Sequence, residues 1–213
     1  INTNIFYSNS KSIFNTSSNL TSDFNFNSYI QTKGNESYNF NFSLVNYSRK
    51  LKLASKIETL NNWITSPLNV NSTEFSNAKS FSNSIKYSAT TYFKSKINFD
   101  FGFSYNYFQS NFQGIKTTNT TKDAFFNINY KVSKTILAES NNSLYYVNNK
   151  NYSFNNVVLS YTPLDSKFSY RLILNNLVNE NQYTSISINN YSYYQSIVQL
   201  VPRYVLGTIK YRF

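Results

Sequence analysis

The chain has 213 residues, of which 19% are aromatic and only 14% charged, and it contains neither His nor Cys. These absences remove disulfides, thiol nucleophiles and the commonest general base and metal ligand. No apolar run approaches the roughly 20 residues of a membrane-spanning helix, and a net charge of +11 favours anionic partners such as lipid headgroups or nucleic acid.

The N-terminal residues Ile1, Asn2 and Thr3 include no start methionine and no apolar signal core, so we expect a mature form or a piece of a longer protein. No linker-like break divides the chain. Residues 1–213 are therefore interpreted as one unit.

Alternation of apolar and polar residues is the main signal, and its clearest example is residues 97–107, with Phe99, Phe101 and Phe103 on one face and Asn98 and Ser104 on the other. A helix would scatter these aromatics around its surface, whereas a strand collects them on one side. The same alternation predicts strands around residues 3–7, 20–30, 38–44, 81–93, 124–132, 157–161, 168–174 and 204–213, and a further strand is assigned to residues 136–146, which alternate poorly.

The predicted connections alternate in length along the chain. Short turns are expected near Gly34, Ser95, Lys134 and Leu164, and longer loops are expected at residues 8–19, 58–79, 109–122 and 178–196. The pattern predicts an all-β, antiparallel transmembrane β-barrel, or a barrel portion, of about ten strands in a bacterial outer membrane, with short periplasmic turns and long external loops.

The chain ends in a two-faced strand whose apolar positions are Ile209, Tyr211 and Phe213. We interpret these three residues as a signal that the barrel-assembly machinery reads. A strand end that only packs in lipid is the alternative, and both can hold.

Aromatic residues crowd at Tyr145, Tyr146, Tyr152, Phe154 and Tyr161. They could form a stacking platform for sugars or bases, but an interface girdle explains them more simply. Basic residues gather at the predicted short-turn ends, where they could reach lipid phosphates: Lys33, Lys94, Lys96, Lys131, Lys134, Lys167, Lys210 and Arg212. Because the aromatics occupy the opposite face, a nucleic-acid groove is disfavoured.

The C-terminal end resembles a TonB-dependent outer-membrane receptor of the Bacteroidetes type. The resemblance rests on an Asn-Leu-x-Asn element at Asn176, Leu177 and Asn179, and on the pair Pro202 and Arg203 that opens the last strand. It implies the C-terminal part of a larger barrel for nutrient uptake, because a family barrel of about 22 strands around a plug cannot be built from ten.

Two other interpretations stay open. The chain could be a small self-contained barrel with a structural or adhesion role, or a subunit of an outer-membrane complex. It could also be a barrel substrate held by the assembly machinery.

The sequence predicts no enzyme, no cofactor and no catalytic or metal-binding residues, because the nine acidic residues are dispersed and no histidine accompanies them. The expected partners are outer-membrane lipid and lipopolysaccharide, the assembly machinery and other envelope subunits, without nucleic acid.

Overall fold

The computed structural model describes residues 2–20, 25–70, 75–147, 150–188 and 193–213, and every regular element in this part of the chain is a β-strand. No helix within these residues is long and apolar enough to cross a membrane. The described strands are β1 (Asn2–Asn9), β2 (Ser12–Leu20), β3 (Asn25–Lys33), β4 (Glu36–Ser48), β5 (Leu53–Val70), β6 (Ser76–Thr91), β7 (Ile97–Phe112), β8 (Ile115–Lys131), β9 (Ile136–Val147), β10 (Lys150–Tyr161), β11 (Phe168–Asn175), β12 (Gln182–Ile188), β13 (Tyr193–Gln199) and β14 (Tyr204–Tyr211).

Ten of these strands form one antiparallel sheet in the order β1-β4-β5-β6-β7-β8-β9-β10-β11-β14. The other four are continuations: β2 pairs with β3 beyond β1 and β4, and β12 pairs with β13 beyond β11 and β14. The chain therefore makes ten passes, and the all-β antiparallel prediction with about ten strands is confirmed.

Gly34 does not form a turn, contrary to the prediction. Instead, β3 and β4 belong to one pass that breaks at residues 34 and 35, and the facing pass breaks at residues 10 and 11. The two passes stay joined because Ser10 N donates to Asn35 O over 3.0 Å and Gly34 N donates to Lys11 O over 3.1 Å. A Cβ atom at Gly34 would overlap Ser10 O, so the close approach of the two backbones requires glycine there.

The other short turns lie at one end of the sheet, at residues 49–52, 92–96, 132–135 and 162–167. The prediction of long loops at the opposite end is wrong, because most of these residues belong to strands. Residues 8–19 include most of β2, residues 58–79 belong largely to β5 and β6, and residues 109–122 form the end of the β7–β8 hairpin. Of the loop at 178–196, Tyr191 lies outside the described residues, and the described part carries β12 and β13.

These strand extensions lack regular hydrophobic alternation because polar residues occur on both of their faces. In the β5–β6 pair, for example, Asn83 Nδ2 donates to Asn61 Oδ1 over 2.6 Å. The β7–β8 hairpin closes through Gln113 at φ 51° and Gly114 at φ 80°. Two consecutive residues with positive φ suit the right-handed twist of a tight hairpin.

The strand register gives the ten-stranded sheet two unlike faces. One, the apolar face, carries aromatic and aliphatic residues opposite one another, as in the row Ala89, Phe101, Phe126. The other, the polar face, carries hydrogen-bonded polar residues. There Ser104 Oγ donates to Asp123, and Ser84 Oγ donates to Asn106 Oδ1 over 2.7 Å.

The polar face is the sheltered one. Most of the buried apolar residues lie on it, namely Ala78, Phe112, Val147, Tyr152 and Val158. Large side chains of the apolar face are exposed, including Ile5 at 80% and Ile209 at 70%. The polar face is thus more sheltered than the apolar face, the reverse of a water-soluble sheet.

The sheet is not closed into a barrel. Among the described residues, β1 pairs only with β4, and β14 pairs only with β11. Both edge strands therefore present unpaired backbone groups on their outer sides.

Candidate functional site

The pass that contains β11 and β12 is interrupted by two asparagines in a left-handed conformation, Asn176 at φ 53° and Asn179 at φ 60°. Asparagine tolerates this conformation better than most residues because its short amide bonds locally to the backbone. The chain can therefore bend here without glycine.

The side chain of Asn176 holds this bend together. Its Nδ2 donates to Glu180 O over 2.8 Å and to Val201 O over 3.0 Å, and its Oδ1 accepts from Glu180 N over 2.9 Å. Asn176 is only 5% exposed, so these bonds satisfy an amide that water does not reach. Glu180 in turn accepts a hydrogen bond from Ser153 N over 3.0 Å, which ties the bend to β10.

The predicted family-motif residues meet at this bend. Asn179 Oδ1 accepts from Arg203 N over 2.9 Å, and Leu177 N donates to Asn155 O over 2.9 Å. Pro202 lies between Val201 and Arg203, which are both bonded to the asparagines. We name the residues Asn176, Leu177, Asn179, Pro202 and Arg203 the Asn176 node.

Beside the node, four aromatic rings pack against one another. The Tyr183 ring lies 5.0 Å from that of Tyr152, 6.3 Å from that of Tyr145 and 6.4 Å from that of Phe154, measured between centroids. The Tyr145 and Phe154 rings meet edge to face at 5.7 Å. Tyr152 is also held from the backbone, because Thr184 N donates to its hydroxyl over 3.2 Å.

Three of these rings border an open cleft of about 690 Å³, here called the aromatic cleft. Its lining residues come from five strands (β9, β10, β11, β12 and β14), from the node and from the segment between β13 and β14: Ser143, Tyr145, Phe154, Asn156, Asn175, Asn176, Tyr183, Leu200, Val201 and Tyr204. The register places the β9 and β10 residues of this set on the polar face.

The register also divides the aromatic residues that the sequence placed together. Tyr146 and Tyr161 lie on the apolar face, whereas Tyr145, Tyr152 and Phe154 lie on the polar face. A lipid-interface girdle therefore fits only Tyr146 and Tyr161. The alternation of odd and even residues along β9 and β10 could have predicted this division between the faces. The contribution of Tyr183 was missed, because the sequence assigned its segment to a loop.

Burial raises the pKa of the Tyr183 hydroxyl above its usual value, and the neighbouring Tyr145, Tyr152 and Asp123 raise this pKa further. The hydroxyl therefore remains a neutral hydrogen-bonding group. The aromatic cleft carries no charge from this residue at physiological pH.

The predicted assembly-signal residues lie together at the end of β14. Tyr211 packs edge to face against Phe213 at 5.2 Å and contacts the Phe168 ring at 5.0 Å. Ile209 and Tyr211 occupy the apolar face of an edge strand, and Phe213 is fully exposed. This part of the chain is accessible both from its apolar face and along its unpaired backbone edge.

Most of the basic residues expected at the short-turn end are found there: Lys94, Lys96, Lys131, Lys134, Lys167, Lys210 and Arg212. Arg49, Lys50 and Lys52 join them in the turn between β4 and β5. Lys33 does not, because β3 ends at the break within a pass rather than at a turn. This end of the sheet therefore carries a row of cations.

Within the described ranges, no group of three or more Asp or Glu residues could hold a metal ion. Comparison with known protein families, with curated proteins and with solved structures found no match.

Proposed function

We propose that this chain is a wall segment of an outer-membrane β-barrel and forms the C-terminal part of a receptor resembling the TonB-dependent type, which takes up a nutrient. The observation that carries the proposal is the two-faced ten-pass sheet, in which the exposed face is apolar and the sheltered face is polar. A barrel wall in a membrane has this arrangement, with lipid outside and a polar lumen inside.

Most of the apolar residues on the apolar face lie in the half of the sheet next to the short turns, with the Trp63–Phe81 pair among those beyond it. Along β7, apolar-face residues run from Ile97 through Phe103, then become Tyr105 and Tyr107, and end in polar Gln109. A tilted strand needs about 9–11 residues to cross a bilayer, and the 16 residues of β7 exceed this. The remainder would project beyond the membrane as external hairpins.

The basic residues at the short-turn end also support this placement in a membrane. Long basic side chains at the short-turn end can reach lipid phosphates while the apolar face contacts acyl chains. The short-turn end would then face the periplasm, as in other outer-membrane barrels.

The unpaired edges and the Asn176 node support a receptor portion over a self-contained barrel. An open sheet needs further strands to satisfy β1 and β14, and a larger barrel would supply them. The Asn176 node joins the segment of Asn176 and Asn179 to the segment of Pro202 and Arg203, and the family resemblance depends on both segments. On this proposal, the assembly machinery engages Ile209, Tyr211 and Phe213 during insertion.

The test compares two arginine substitutions at neighbouring positions of β8. Phe126 lies on the apolar face, where its ring stacks on Phe99 at 5.8 Å, and Asn127 lies on the polar face opposite Asp100. In lipid vesicles, Phe126→Arg should destabilise the folded chain by about 2–4 kcal/mol, because a charge at the bilayer midplane is costly.

Asn127→Arg is the control, and it should cost less than Phe126→Arg: it loses the hydrogen bond that Asn127 Oδ1 accepts from Asn142 N over 3.3 Å, but the Asp100 carboxylate lies opposite the new charge. Urea unfolding in vesicles measures both variants. Equal tolerance of the two arginines, or a larger cost at Asn127, would refute membrane placement.

A further inference from the structure

The aromatic cleft combines rings, amides and hydroxyls without a charged side chain, and with about 690 Å³ it is larger than the uncharged cleft around Tyr107 and Asn119, which has about 160 Å³. Its ten lining residues include no Asp, Glu, Lys or Arg. A second cleft on the polar face differs, because Glu58 and Lys86 line it. The aromatic cleft therefore suits a neutral ligand.

Its volume of about 690 Å³ falls within the range of about 300–1,000 Å³ that is usual for small-molecule sites. Exposed aromatic surface is available within it, since Tyr145 is 37% exposed and Tyr204 is 40% exposed. The edge-to-face contact of Tyr145 with Phe154 fixes the orientation of both rings.

Polar groups lie beside the rings. Ser143, Asn156 and Asn175 supply hydroxyl and amide groups at the border of the cleft. Asn176, which also borders it, is immobilised by its bonds to Glu180 and Val201. Apolar walls with a few fixed polar groups are the usual composition of a specific small-molecule site.

We propose that the aromatic cleft binds a neutral saccharide. The flat C–H faces of a sugar ring stack on the aromatic side chains, and its hydroxyls bond to the amide and hydroxyl groups. This inference rests on the proposed function, since it places the saccharide on the luminal side of the barrel wall, near the outer limit of the apolar face.

Other flat ligands fit less well. Single-stranded nucleic acid requires a positively charged groove along its backbone, and an anionic chelate requires cations, but the cleft lining supplies neither. A sugar without charged groups needs only stacking surfaces and hydrogen bonds.

The experiment uses the full chain folded in detergent micelles and three uncharged probes, namely maltohexaose, cellohexaose and laminarihexaose, with binding followed by saturation-transfer NMR and calorimetry. At least one probe should bind. Tyr145→Ala and Tyr183→Ala should each weaken that binding about tenfold, in keeping with the loss of one stacking contact. Tyr161→Ala, which removes a ring stacked on Tyr170 on the opposite face, should leave the affinity unchanged.

Two further variants keep the test decisive if an alanine variant does not fold. Tyr183→Phe retains the ring and should keep most of the affinity, whereas Asn175→Leu retains volume but removes the amide and should weaken binding. The proposal is overturned if the three probes do not bind at 10 mM, if the cleft variants bind as the parent does, or if adenosine monophosphate binds more tightly than the sugars.

Failure here can be separated from failure of the proposed function. A chain that tolerates arginine at Asn127 but not at Phe126, and that binds no saccharide, keeps its membrane placement and loses only the saccharide site. Equal tolerance at both positions removes the membrane placement itself.

Discussion

Asn179 Oδ1 accepts a hydrogen bond from the backbone N–H of Arg203 over 2.9 Å, although the two residues are 24 positions apart. This contact joins the pass formed by β11 and β12 to the pass formed by β13 and β14, at the break between the two strands of each pass. Together with the bond from Asn176 Nδ2 to Val201 O, it sets where the outer hairpin starts.

Asn176→Ala should destabilise the chain by about 2–3 kcal/mol. The substitution removes three part-buried side-chain hydrogen bonds and leaves the backbone groups of Glu180 and Val201 without this partner. Asn151→Ala, at an exposed position of β10, is the control and should change stability by no more than about 0.5 kcal/mol. Urea unfolding in detergent micelles measures both variants, and equal effects would mean that the node does not stabilise the sheet.

Gly102→Ala should destabilise the sheet, while Gly207→Ala should not. A Cβ atom at Gly102 would collide with Tyr87 O and lie 2.7 Å from Phe125 Cε1, whereas one at Gly207 would have open space around it. Overpacking of this kind costs about 1–3 kcal/mol. The thermal unfolding midpoints of the two variants are compared. An unchanged midpoint for Gly102→Ala would show that Phe125 does not pack over the glycine.

The two edges of the sheet should not join. Because the chain lacks cysteine, a pair can be introduced without interference. Arg171→Cys with Thr208→Cys should cross-link within the chain, since β11 and β14 place these residues opposite one another. Asn4→Cys with Thr208→Cys should not, because β1 and β14 are the opposite edges of the sheet and do not pair with each other among the described residues.

Cross-linking is read from electrophoretic mobility after oxidation in lipid vesicles. Cysteine is also introduced at Asn2 or at Phe6 in place of Asn4, so that other registers of β1 against β14 are tested. Efficient cross-linking between β1 and β14 at any of them would identify a self-contained barrel and would exclude the receptor portion.

The stability of the chain should fall above about pH 10, and Tyr183 should contribute to this fall. Burial raises the pKa of Tyr183 in the folded state, so the folded chain keeps this proton at a pH where the unfolded chain loses it. The contribution to stability is therefore complete below the unfolded pKa and is lost as the pH rises through the folded one.

Tyr183→Phe should make the decline in urea midpoint between pH 9 and pH 11 shallower. Tyr161→Phe, on the apolar face, controls for the loss of a tyrosine hydroxyl elsewhere. If the two variants decline in parallel, the environment of Tyr183 does not disfavour its ionisation.

Which parts of this structure could be read from the sequence depends on how local the responsible interactions are. The strand at residues 97–107 was predictable because each residue alternates faces, so Phe99, Phe101 and Phe103 must lie together in any strand. The all-β, antiparallel, ten-pass sheet follows from repeated alternation and tight turns. The extensions of β5 to β8 were missed because polar residues on both faces erase the alternation, although backbone pairing continues through them.

The candidate site was predictable only in part. The two groups of motif residues, around Asn176 and around Pro202, were recognised separately, but the hydrogen bonds between them depend on the pairing of two distant strands. The aromatic cleft was not predictable, because Tyr183 reaches Tyr145 and Tyr152 only after the bend at Asn176 redirects the chain.

By itself, the sequence determined the class of fold, the two unlike faces of each strand and the absence of histidine and cysteine chemistry, because these depend on residue identity and a period of two. Only the tertiary structure decided that the polar face is the more sheltered one, that β1 and β14 do not pair with each other and that aromatic residues of four strands border one cleft. Those outcomes depend on strand register and sheet curvature, which arise from hydrogen bonds between residues far apart in the chain.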